Sequence, residues 1–201
     1  MLSDISVPGL LSLLVSAAAL MASPGPATLS VAATAAAYGF RRSLPYAVGI
    51  NLGTILVLLA MALGASTLLY AIPGLALPVS IAASLYILYL AYRIATAPPL
   101  SDKANELAPG LLPGLFLAIA NPKAYLAIGA VYSKAMLVPA SAAADAVVKC
   151  VILSVAILVI HTVWGLAGSA LTTTLRSPQA SRVVNLVLAA ALVGVLIVDS
   201  L

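Results

Sequence analysis

Charge is what this sequence has least of. Only 7% of its 201 residues are Asp, Glu, Lys or Arg, against about 25% in a soluble globular domain. Hydrophobic residues make up 64%. A chain with so little polar surface cannot stay dissolved, which excludes a soluble enzyme or binding domain and points to an integral membrane protein. The net charge of +4 is scattered, with no like-charge run beyond Arg41-Arg42, so a nucleic-acid partner is excluded. Cysteine is nearly absent. Cys150, alone, makes no internal disulfide, CxxC redox pair or thiolate metal site, and reads as a small apolar helix residue. Histidine and tryptophan occur once each, as His161 and Trp164. HExxH, a Ser-His-Asp set and paired acids inside an apolar stretch are all missing. No catalytic residue, cofactor or resident metal is therefore expected, and the chain does not read as an enzyme.

What the chain does have is long apolar runs, roughly 5–38, 44–71, 74–97, 111–136, 143–171 and 182–199. About 20 apolar residues cross a bilayer as a helix, so the expected fold is all-α and polytopic, with about six transmembrane helices. Two-residue alternation is absent and Ala, Leu and Gly dominate, which suits packed helices and not a barrel. The first run resembles a signal peptide, but the only charge ahead of it is Asp4, where a signal peptide carries Lys or Arg. It is expected to be the first span, kept in the mature protein. Arg41, Arg42, Arg93, Lys103, Arg176 and Arg182 fall on one side of six spans, with Lys134 and Lys149 on the other. The excess of Lys and Arg marks the cytoplasmic side, which puts both termini outside and the 98–110 loop in the cytoplasm of a cell-membrane protein. Residues 1–100 and 101–201 then hold three spans each. An odd number makes the halves insert with opposite orientation, as an inverted repeat.

Each half opens on a span interrupted by proline. The first carries SPGPAT, residues 23–28, and the second ANPKAY, residues 120–125. Pro24 and Pro26 remove backbone donors, and Gly25 frees the backbone between them. Asn121-Pro122 reads as a helix start, because Asn suits the N-cap and Pro the first helical position. Helices that begin inside a bilayer turn their N–H groups toward protein or water, and matched breaks point to a midplane transport site. Lys123 falls in the first turn of the second half-helix. A cation there opposes the helix dipole and costs about 3 kcal/mol or more in hydrocarbon. With no acid inside a predicted span, its counter-charge is expected to be the substrate. Snorkelling to one face is the other reading.

These motifs resemble the LysE-type translocators, the lysine, homoserine and threonine exporters. The resemblance rests on Pro24-Gly25-Pro26, Gly39 with Arg41, AVGINLG with Gly49 and Gly53, and NPKA from Asn121 to Ala124, and it covers essentially the whole chain. It implies export of amino acids or similar small metabolites from the cytoplasm, driven by the proton gradient. The sequence departs from the family's pattern at Thr54, where many members carry an acid, and at Ser43, where a second glycine is usual. The missing acid argues against a cationic substrate such as lysine.

The candidate binding residues are Pro24, Gly25, Pro26, Thr28, Asn51, Thr54, Asn121, Pro122 and Lys123, with Lys123 and His161 as candidate proton carriers. Asn51 and Thr54 share a helix face. Asn51 has two readings, a substrate ligand or an interhelical hydrogen bond. His161 likewise has two, a proton carrier or a packing contact. Asp145 and Lys149, four apart with the acid first, read as a structural helix pair. The expected partners are a small zwitterion, the lipid bilayer and, as a possibility left open, further copies of the chain. Metal efflux and a non-transporting membrane scaffold are the alternatives. Metal efflux wants clusters of carboxylate, His or Cys, and a scaffold has no need of matched breaks.

Overall fold

The structure is a computed structural model. It describes residues 5–64 and 107–170 continuously, and single positions between 81 and 96 and between 179 and 194. Most of the third and sixth predicted spans lies outside the described residues, as do Arg93, Lys103 and Arg176. Among the described residues every regular element is helical: α1 (Val7–Ser16), which runs into a π-helical turn (Ala17–Met21), α2 (Pro26–Tyr38), α3 (Phe40–Ala62), α4 (Leu111–Ile119), α5 (Pro122–Lys134) and α6 (Ala142–Ala170). Two of these, α3 and α6, are long and apolar enough to cross a membrane, and α4 with α5 makes a third if the pair, bent by 62°, is one span.

Both predicted breaks are present. Ser6 starts α1, its Oγ accepting from the Gly9 N–H at 3.2 Å. The helix widens over the π turn and stops at Ala22, short of the two prolines. Pro26 and Pro122 each occupy the first turn of the helix that follows, where the missing N–H has no helical partner to lose. Gly39, at φ +80°, turns α2 directly into α3, a backbone angle that strains a residue with a Cβ. This corrects the expected loop at residues 39–43. Because one glycine makes the turn, Arg41 and Arg42 lie in the first turn of α3, and the helix continues through Pro45.

The long helices are inside-out relative to a soluble protein. On α6 the buried stripe is Asp145, Lys149, Leu153, Ile157, His161, Gly165 and Gly168, a spacing of three to four that traces one helix face. Its outward face is Val147, Val151, Val155, Val159 and Val163, all more than half exposed and suited to lipid. The ionisable residues therefore face protein, as their cost in hydrocarbon requires. Lys149 Nζ lies 2.8 Å from Asp145 Oδ2 and donates to the Tyr132 carbonyl at 3.0 Å, while Asp145 Oδ1 accepts from the Leu137 and Val138 N–H groups. The pair ties the segment after α5 to the start of α6. It also takes Lys149 out of the loop charges counted in the expected orientation.

Glycines set how closely the helices approach. A Cβ on Gly49 would fall 2.0 Å from the Leu111 carbonyl oxygen, one on Gly114 2.3 Å from that of Tyr46, and one on Gly168 2.1 Å from that of Ala32. Thus α3 meets α4, and α2 meets α6, backbone against backbone. Two apolar clusters result. One gathers Leu13, Leu58, Ile128, Leu153 and Ile157, the other Val31, Tyr46, Ile50 and Leu117.

Candidate functional site

The two breaks face each other. Lys123, from the start of α5, reaches across to the first break and donates to the carbonyls of Ser23, at 3.1 Å, and Pro24. Trp164, on α6, donates through Nε1 to the Ala22 carbonyl at 3.0 Å. Thr28 closes the break from within: its Oγ1 accepts from the Gly25 N–H at 2.9 Å and lies 3.2 Å from the Gly25 carbonyl oxygen. An interrupted backbone away from water needs donors for its carbonyls, and these three side chains approach those of Ala22, Ser23, Pro24 and Gly25. Lys123 thus has backbone carbonyls as its counter-charge, where the sequence suggested a substrate alone.

Beside this junction lies a cavity of about 40 Å³, room for one or two waters at about 30 Å³ each. Its polar lining comes from Ser23, Thr28, Thr54, Asn121, Lys123 and His161, and its apolar wall includes Ile128, Ile157 and Ile160. A second groove of about 430 Å³, apolar among the described residues, runs between α1 with its π turn and the valine face of α6. Among the described residues no polar side chain lines it, so they offer nothing to orient a polar ligand.

Of the residues singled out in the sequence, Gly25, Thr28, Thr54, Asn121, Lys123 and His161 line the cavity. Pro24, Pro26, Pro122 and Asn51 are not among its lining residues. Thr54 Oγ1 donates to the Ile50 carbonyl at 2.8 Å, which leaves its oxygen as an acceptor. Asn51 Oδ1 accepts from His161 Nδ1 at 2.7 Å. In that arrangement Nδ1 carries the proton, and Nε2 holds the lone pair when the ring is neutral. Asn51 is therefore the residue that orients the histidine. Asn121 occupies the N-cap position of α5, but its side chain makes no cap. Its Oδ1 is buried and lacks a hydrogen-bond partner among the described residues. This corrects the capping role expected of the side chain and leaves an acceptor at the cavity.

Sequence reading missed the Ser23 carbonyl and the anchoring role of Trp164. Trp164 had a visible signal, since it lies three residues from His161 on the same helix face. Among the described residues no three His, Cys, Asp or Glu side chains come together as a metal site.

The chain matches the family described as LysE type translocator over residues 18–198. It is 31% identical over 171 residues to a cysteine/O-acetylserine efflux protein of Salmonella paratyphi A, an alignment covering 85% of this chain and 86% of the relative. The protein of that name from Escherichia coli (strain K12) is 30% identical over the same shares. No solved structure matches the chain. With apolar helices long enough to cross a membrane and a family match that runs almost end to end, the chain belongs to the LysE-type translocators.

Proposed function

We propose that the chain is a secondary exporter of a small zwitterionic amino acid, or a closely related metabolite, across the cell membrane. The observation that carries this reading is the cavity between the two helix breaks, where a cation, Lys123, and an unclaimed buried acceptor, Asn121 Oδ1, occur together. A carboxylate suits the ammonium of Lys123, and an α-ammonium suits Asn121 Oδ1, with Thr54 Oγ1 as a further acceptor. Leaving the Asn121 oxygen unpaired costs about 1–3 kcal/mol, a cost that a ligand donor removes. The isoleucine wall suits a short side chain. The names of the relatives, cysteine and O-acetylserine efflux proteins, agree with a small neutral amino acid, and Thr54 in place of an acid disfavours a cationic one.

The cavity has room for one or two waters, so a substrate enters when the two broken spans move apart. In this reading residues 1–100 and 101–201 form inverted three-span halves that rock about the site, with the 98–110 loop cytoplasmic and both termini outside. Lys123 and His161, the titratable side chains lining the cavity among the described residues, are the proton carriers that couple export to the gradient.

The test is uptake of a labelled amino-acid panel into inverted membrane vesicles, with and without a pH gradient. Gradient-dependent uptake of a small neutral amino acid is expected, and a Lys123→Met variant that inserts normally should lose at least nine-tenths of it. Transport of no amino acid, or wild-type flux in the Met variant, overturns the reading.

A further inference from the structure

The first break is built like a cation site. The carbonyl oxygens of Ser23 and Pro24 converge closely enough for one nitrogen, Lys123 Nζ, to donate to both. Convergent carbonyls of an unwound membrane helix are the donors that hold small monovalent cations in transporters. The approach is also built. A Cβ on Gly25 would lie 2.7 Å from Lys123 Cδ and 2.9 Å from Nζ, so the lysine stem runs through the space that a side chain would fill. The Gly25 backbone is extended, at φ −170°, an angle any residue adopts. The missing side chain therefore serves the passage of the lysine and not the turn.

We propose that the break between α1 and α2 is a monovalent-cation site whose cation is part of the chain, the tethered ammonium of Lys123. The tether makes occupancy independent of the sodium concentration. When the ammonium is removed or displaced, the cradle takes a small free cation in its place. The inference concerns what holds the break together, so it stands or falls separately from the identity of any exported substrate.

The experiment follows thermal unfolding of the full-length protein in detergent, for wild type, Lys123→Ala and Gly25→Ala. Each is titrated at matched ionic strength with ethylammonium, sodium and tetramethylammonium chloride. The lysine variant should unfold at a lower temperature than wild type and recover saturably with ethylammonium or sodium. A cation present at ten times its dissociation constant favours the folded variant about elevenfold. Ethylammonium alone would assign the cradle to N–H donors, and both cations together to small monovalent cations generally. Tetramethylammonium, bulky and without N–H, should do nothing, and wild type should ignore all three. Gly25→Ala, which crowds the ammonium out while keeping its charge, should respond in the same order but more weakly. It decides the matter if Lys123→Ala does not fold. A response equal in wild type, a response equal to tetramethylammonium, or none in either variant overturns the proposal.

Discussion

Asp145 and Lys149 show what a single charge costs in this chain. Each is at least nine-tenths buried, and Asp145 holds two backbone N–H groups besides its ion-pair partner. Removing one member strands the other, at about 3–5 kcal/mol. Asp145→Ala is accordingly expected to unfold in detergent at clearly lower denaturant concentration than wild type, and equal midpoints would show that the pair is dispensable. Asn51 and His161 call for a finer measurement. A double-mutant cycle with Asn51→Ala and His161→Ala should give a stability coupling near 1 kcal/mol, the size of a hydrogen bond between membrane helices. A coupling near zero would mean that the contact does not orient the ring. At this scale the sequence showed which residues matter better than what they touch. Lys123 stood out because it interrupts an apolar run, yet its partners are the Ser23 and Pro24 carbonyls. Every residue carries a carbonyl, so no letter of the sequence marks one left open by a break.

Among the elements, glycine spacing decides which helices meet. Gly49 presses on the backbone at Leu111, whereas Gly110, at φ −82°, has nothing among the described residues within 4 Å of where a Cβ would stand. Gly49→Ala should therefore cost about 1–3 kcal/mol by overpacking, since a backbone carbonyl cannot swing aside as a flexible side chain can. Gly110→Ala should be nearly neutral. Folded yield and thermal unfolding of the two variants side by side will check this, and indifference at Gly49 would place α4 further from α3. The breaks were legible in sequence because proline at N1 has one backbone consequence, whereas Gly25, extended at φ −170°, makes room for Lys123, a role no local pattern announces. The start of α3 was not. Arg41 and Arg42 suggested a loop by polarity, while the turn is made by Gly39 alone, and polarity does not report on helix geometry at a membrane surface.

For the whole molecule, the burial of Lys149 sharpens the charge asymmetry on which the proposed orientation rests. Of the cations first assigned to the outer side, only Lys134 is left at a helix end. A cysteine placed at residue 103 on a Cys150→Ser background should react with a membrane-impermeant maleimide from the cytoplasmic side alone. Labelling from outside would invert the topology and move the proposed entrance to the other face.

The first break also bears on how the chain is made. The donors for its Ala22 and Pro24 carbonyls lie 142 and 99 residues further along. A ribosome delivers the broken span to the bilayer well before Lys123 and Trp164 exist. In the six-span arrangement proposed above, the nascent first half carries until then open acceptors that cost several kcal/mol each in hydrocarbon, the kind of defect on which membrane proteases act. Residues 1–100 produced alone should have a short half-life in a pulse-chase, and producing 101–201 in the same cell should lengthen it. On that arrangement each newly made molecule passes through a vulnerable interval that ends when its second half arrives.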